Sequence, residues 1–118
     1  MLTVYGIKSC DTCRKARQFL AAKDIDFQFH DLRVDGLDMQ VLQRWADRIG
    51  WEKLLNRKSL TWRRLPEVDR DSMTRNKALA TMLEQPTLIK RPLIETEQFI
   101  SVGFSEQKFS EFLKSHDL

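Results

Sequence analysis

The sequence predicts an α/β fold with the element order β-α-β, a helical middle, then β-β-α. Short β-prone stretches stand near both ends of the chain, and apolar residues recur every three or four positions in the segments between and after them. No repeat, low-complexity tract or linker interrupts the series. At 118 residues a single domain buries roughly two-thirds of the surface its unfolded chain exposes, so neither a disulfide scaffold nor a zinc cage is needed to hold it.

Leu2 to Tyr5 is β-prone, and Gly6 to Ser9 reads as a turn. From Asp11 the apolar positions Cys13, Ala16, Phe19 and Leu20 fall three and four apart, which makes one face of a helix that fades near Lys23 and Asp24. Asp26 to Leu32 alternates, with Phe27 and Phe29 on one side, as a half-buried strand does. A helix-length link between two strands makes them parallel, with a right-handed crossover. Leu37 to Ile49 is helical again, with Leu37, Val41, Leu42, Trp45 and Ile49 as its apolar stripe and Gly50 as its stop. Trp51 to Leu55 adds another turn of helix. Asn56 to Pro66, basic and without a period, reads as an exposed loop or irregular turn. Asp71 starts a further helix, with Met73, Leu79, Ala80, Met82 and Leu83 available for packing, and Gln85-Pro86 ends it. Leu93 to Glu95 and Phe99 to Val102 make a hairpin around Thr96-Glu97-Gln98. Ser105 caps a last helix, Glu106 to Lys114, whose Phe109, Phe112 and Leu113 return to the core. This order is the plan of a thioredoxin-like fold, here one domain over residues 1–118 with a helical insertion at about 37–86.

Composition narrows the function classes. Twenty basic and 17 acidic residues, mixed along the chain for a net charge of +3, are too evenly balanced to mark a nucleic-acid binder. The longest apolar runs are three or four residues, where a spanning helix needs about 20, and the opening MLTVYGIKSC lacks the apolar region of a secretory leader. A cytoplasmic protein without direct membrane or nucleic-acid contact is expected.

The two cysteines stand as Cys10-Asp11-Thr12-Cys13. In a reducing compartment such a pair is more often catalytic, redox-sensing or metal-binding than structural. The only histidines are His30 and His116 and there is no second cysteine pair, so no metal is expected. A thiolate is the reactive form, and at the N-cap of the helix the Cys10 sulfur faces unpaired N–H groups and the positive end of the helix dipole. Lys8 and Arg14 add positive charge, and Asp11 opposes them. The same N–H groups form an anion site suited to phosphate, arsenate or a carboxylate of glutathione. Cys13 lies one turn on and on the same face, where it can resolve a mixed disulfide or sulfenic acid formed on Cys10. The competing reading makes Cys13 a small core residue. His30, between Phe29 and Asp31 in a strand, reads as structural, and the tryptophans Trp45, Trp51 and Trp62 as core or lid. Arg57, Lys58, Arg63 and Arg64 read as a solvated face.

The segments Tyr5-Gly6-Ile7-Lys8-Ser9-Cys10-Asp11-Thr12-Cys13-Arg14-Lys15-Ala16, Leu55-Asn56-Arg57, Gln85-Pro86-Thr87-Leu88-Ile89-Lys90-Arg91-Pro92 and Val102-Gly103-Phe104 together resemble the ArsC/Spx superfamily over essentially the whole chain. Within it, the opening motif and Ile89-Lys90-Arg91-Pro92 are most similar to the YffB branch. The resemblance implies an arsenate-reductase-like thiol oxidoreductase with Cys10 as nucleophile; many arsenate-reductase relatives have only that first cysteine, so the pair is a departure from them, and either Cys13 or glutathione would resolve the intermediate. It places oxyanion-holding arginines at Arg57 and Arg91, and substrate or glutathione contacts at Lys8, Asp11, Thr12, Arg91 and Pro92, the last as a cis-proline. No bound cofactor is implied; glutathione would be co-substrate and glutaredoxin a partner. Glutaredoxin-linked arsenate reductases carry a third arginine near the last strand, where this chain has Gly103-Phe104, and a histidine ahead of the cysteine, where it has Gly6. Both departures remove charge that would hold an arsenate dianion. Spx regulators share the cysteine pair and the Val-Gly-aromatic ending. The alternative they imply is a transcriptional regulator that binds RNA polymerase under control of a Cys10–Cys13 disulfide.

Overall fold

The computed structural model describes residues 2–115, the side chains of Phe112 and Ser115 excepted; His116 and the Phe112 side chain, both named above, lie outside the described residues. The chain divides into two compact units, one built from the segments up to Leu32 and from Arg91 onward, the other from Arg33–Lys90.

In the first unit, β1 (Leu2–Gly6) runs into α1 (Asp11–Ala22) and then β2 (Phe27–Asp31), and after the return of the chain β3 (Leu93–Glu95) and β4 (Ile100–Val102) precede α7 (Glu106–Ser115). The sheet order is β2-β1-β3-β4. The β1–β2 pair is parallel, with Val4 opposite Phe29 and Gly6 opposite Asp31. The other two pairs are antiparallel, with Val4 opposite Ile94 and Ile94 opposite Ser101. Alternation puts Leu2 and Val4 on one face of β1, where they join Leu20 of α1, Ile94, Phe99, and Phe109 and Leu113 of α7 in one apolar core. Phe19 meets Phe104 and Phe109 edge-on, with ring centroids 5.7 and 5.8 Å apart, a favoured geometry for aromatic rings. The hairpin is closed by Thr96, whose N–H donates to the Phe99 carbonyl at 2.8 Å and whose hydroxyl accepts from the Gln98 and Phe99 N–H groups, each at 3.2 Å. The fold is thioredoxin-like, with the helical segment inserted between β2 and β3.

The second unit contains α2 (Met39–Ile49), α3 (Trp51–Leu54), α4 (Leu60–Arg64), α5 (Glu67–Asp71), α6 (Arg75–Glu84) and a 3-10 turn at Pro86–Leu88. Helix α2 packs on α3 and α6, and α3 on α6. Leu42, Trp45 and Ala46 of α2 are buried, as are Leu54, Ala78, Leu79 and Met82. Leu55 and Ile89 form a lone antiparallel bridge, flanked by the Lys90 N–H donating to Leu54 at 2.8 Å and the Asn56 N–H donating to Leu88 at 2.9 Å.

Three expected elements need correction. Asn56 to Pro66 is not a loop throughout, because Leu60–Arg64 is helical and Trp62 is buried at 9% exposure. The Ser59 hydroxyl caps that helix by accepting from the Trp62 N–H at 3.1 Å, and a five-residue helix is too short for a readable period. The helix expected from Asp71 begins later, at Arg75, and a separate short helix precedes it. Asp71 ends α5, and Thr74 starts α6 by accepting from the Lys77 N–H at 3.3 Å; Ala80 is exposed, and Ala78 takes the buried position instead. Helix α2 starts at Met39 because the Asp38 carboxylate caps it, accepting from the Val41 N–H at 2.9 Å; Leu37 lies before the helix. Among the described residues, no helix is long and apolar enough to cross a membrane.

Leu20 is fully buried in the first unit's core. Leu20→Ala should therefore lower the unfolding free energy by about 2–5 kcal/mol, measured by urea denaturation; a loss below about 1 kcal/mol would place Leu20 outside the stabilising core.

Candidate active site

Strand β1 ends at Gly6, and the chain turns through Ile7–Ser9 into α1. The Cys10 N–H closes this turn by donating to the Ile7 carbonyl at 3.0 Å, and the Cys10 carbonyl accepts the first helical bond, from the Arg14 N–H, at 3.0 Å. Cys10 is thus the N-cap of α1, in extended conformation at φ −80° and ψ 121°. Both cysteines are free thiols.

The two sulfurs differ in environment. Cys10 is half-buried, and burial acts to raise its pKa. The N–H and thiol of Cys13, the charge of Arg91 and the N–H of Thr12 act the other way and prevail, so the pKa lies below the ordinary thiol value. No side-chain hydrogen bond of capping geometry reaches the Cys10 sulfur; the lowering is the summed field of several nearby donors and one cation. Cys13 is fully buried. Burial, with the neighbouring Cys10 charge added, pushes its thiol up to about 11.

Gly6 explains how the second sulfur fits. A Cβ at position 6 would lie 2.5 Å from the Cys13 Sγ and 3.2 Å from its Cβ. The Cys13 sulfur therefore occupies the space that a side chain at position 6 would take. A histidine at this position would contest the seat of Cys13, so the Gly6 departure concerns packing as well as charge.

Arg91 follows the helical segment, is half-buried, and is the cation with the largest effect on Cys10. Its peptide bond to Pro92 is cis, and the Pro92 carbonyl accepts from the Gly103 N–H at 2.9 Å, where Gly103 has φ +82°. That left-handed conformation favours glycine. Arg14 is held by Asp11 at 3.1 Å, both side chains being exposed, so these two opposite charges largely offset one another. Thr12 contributes its N–H. Lys8 contributes its backbone, since its N–H donates to the Asp31 carboxylate at 3.0 Å while the residue itself is exposed.

His30 packs against Tyr5, ring centroids 5.1 Å apart. Arg57 belongs to the second unit, where its guanidinium lies 5.2 Å from the centre of the Trp62 ring. Among the described residues no three His, Cys, Asp or Glu side chains converge in a manner that would hold a metal ion. Asp31 is a residue that sequence reasoning missed. Its burial depends on the β1–β2 register, and the sequence offers only a polar residue at the end of an alternating strand.

A half-buried cysteine of lowered pKa at a helix N-terminus, set between the first strand and first helix of a β-α-β, β-β-α unit, defines a thioredoxin-like thiol domain. The ArsC family model matches residues 5–112, and the chain belongs to the ArsC family. An uncharacterized protein of Haemophilus influenzae is 45% identical over 109 residues, which are 92% of this chain and 96% of that protein. The solved structure of the YFFB protein is similar with a TM-score of 0.87 at 38% identity, over 94% of this chain and 97% of the other. The global transcriptional regulator Spx of Lactiplantibacillus plantarum is 30% identical over 115 residues, covering 96% of this chain and 86% of the regulator. The likeness is thus stronger toward YFFB than toward this Spx.

Two outcomes follow from the Cys13 seat. Gly6→Ala should cost about 1–3 kcal/mol by overpacking, and Cys13→Ala should recover most of that loss in the double variant; additive losses in thermal denaturation would sink the assignment. The folded Cys13 thiol titrates near 11 rather than its ordinary 9.0, so its burial in neutral form contributes stability present below pH 9 and lost as the pH rises through 11. Urea melts should show wild type losing stability relative to Cys13→Ala over that window, and parallel profiles would contradict it.

Proposed function

We propose that the protein is a thiol oxidoreductase of the arsenate-reductase-like kind, with Cys10 as nucleophile and glutathione as co-substrate. The observation that carries this reading is the unequal pair: one accessible thiol stabilised as its anion and one fully buried thiol held neutral. The Cys10 thiolate attacks the glutathionyl sulfur of a mixed disulfide. The S–S bond breaks, the substrate leaves as a thiolate that takes a proton from water, and Cys10 carries the glutathionyl group. A second glutathione thiolate then attacks that group, releasing oxidised glutathione and restoring the Cys10 thiolate. Arg91 steadies the anionic group at the sulfur, and Arg57 is assigned the same task from its place in Leu55-Asn56-Arg57 alone. Lys8, Asp11, Thr12 and Pro92 line the glutathione path in this reading, and glutaredoxin serves as a protein reductant in the cytoplasm.

The chemistry favours glutathione over Cys13 for the second step. Burial is the largest cause that holds the Cys13 thiol above its ordinary value, so little of it is thiolate at neutral pH. Once Cys10 is blocked its charge is gone, but the burial of Cys13 remains. Cys13 therefore resolves slowly and is dispensable for turnover.

A second reading follows from the 30% identity to the Spx regulator of Lactiplantibacillus plantarum: oxidation to a Cys10–Cys13 disulfide would switch binding to RNA polymerase. Redox-dependent recovery of the polymerase on the immobilised protein would favour it.

The test is reduction of a glutathione mixed disulfide coupled to oxidised-glutathione release. Cys10→Ser should abolish turnover, Cys13→Ser should retain most of it, and Arg91→Ala should raise KM for glutathione more than Arg63→Ala does. Activity surviving in Cys10→Ser would overturn the nucleophile, and equal effects of the two arginine variants would remove Arg91 from the site.

A further inference from the structure

We propose that Asp31 is the positioning residue of the reactive turn, acting with Arg17 to hold the Lys8 peptide and, through it, the Cys10 cap. Asp31 ends β2 directly opposite Gly6 and is only 3% exposed. A buried carboxylate is costly unless it is hydrogen-bonded, and here Oδ2 accepts from the Lys8 N–H at 3.0 Å. From the other flank, Arg17 Nη2 of α1 donates to the Lys8 carbonyl at 3.4 Å. That guanidinium lies 4.3 Å from the centre of the Phe29 ring, so the strand that supplies Asp31 also supports Arg17. Both backbone groups of Lys8 are thereby held by side chains, one from the strand and one from the helix, while Lys8 itself is exposed.

The held peptide lies inside the turn that the Cys10 N–H closes on Ile7. Its orientation decides where the Cys10 sulfur stands relative to the N–H groups of Thr12 and Cys13, and misplacing a reactive group by a fraction of an ångström is expensive in rate. Charge and position pull in opposite directions here. As a bare negative charge, Asp31 would disfavour a nearby thiolate; as an acceptor that fixes the turn, it favours one. The inference rests on Cys10 being the reactive thiol.

The experiment is the pH dependence of Cys10 alkylation by iodoacetamide, read peptide by peptide by mass spectrometry, in wild type, Asp31→Ala and Asp31→Asn. The wild-type midpoint should lie below the ordinary thiol value. Asp31→Ala should raise it by about one pH unit, a tenfold fall in thiolate at pH values below both midpoints. Asp31→Asn keeps an oxygen for the Lys8 N–H and removes the negative charge, so its midpoint should lie at or below that of wild type. An Asp31→Ala midpoint equal to or below wild type, or an Asp31→Asn midpoint raised as far as that of alanine, overturns the positioning role. Hydrogen exchange at the Lys8 amide of the wild-type protein needs no variant: protection of roughly a hundredfold or more is expected, and exchange at the open-loop rate overturns the proposal. A wild-type midpoint at the ordinary thiol value instead overturns the assignment of Cys10, and this proposal with it.

Discussion

The turn closed between the Cys10 N–H and the Ile7 carbonyl is the interaction on which the site depends. It stops β1 at Gly6, starts α1 at Asp11, and leaves the Cys10 sulfur where the first free N–H groups of the helix converge. A helix places its unpaired donors at one end only, so a sulfur set back by a residue in either direction would lose that field. Everything else about the site adjusts the turn: Asp31 and Arg17 hold its middle, Gly6 clears its inner side, and Arg91 adds a charge from the start of the returning segment.

The same turn separates two chemically identical side chains. Cys10 and Cys13 are three residues apart, yet the cap position gives one sulfur partial access to solvent and the donors of the helix end, while one turn further in the other has neither. Burial penalises the charged form of both. Only at Cys10 do dipoles and a cation exceed that penalty, and the neutral Cys13 thiol then supports its neighbour's charge. A dithiol arranged in this manner suits exchange at the outer sulfur better than fast closure of an internal disulfide.

Much of the first unit was legible from periodicity. Strands of period two and helices of period 3.6 over ten or more residues leave few alternatives, which is why the β1-α1-β2 unit and the hairpin at Thr96 agree with expectation. The helical insertion was less legible. Helices of five residues such as Leu60–Arg64 and Glu67–Asp71 span little more than one turn, so they have no period to display, and their existence depends on caps and on the burial of a single residue such as Trp62.

The sequence by itself determined which cysteine caps the first helix, because Cys10 stands immediately before the amphipathic run that starts at Asp11, and the family motif lies in the linear order of residues. Only the tertiary structure decided what surrounds that cysteine. Asp31 meets Lys8 across 23 positions, and Arg91 acts on Cys10 from 81 positions away. Gly6 makes room for a sulfur that belongs to the next element. Hydrogen bonds, charge and steric exclusion act over a few ångströms of space, and strand register, not sequence distance, sets which residues come that close.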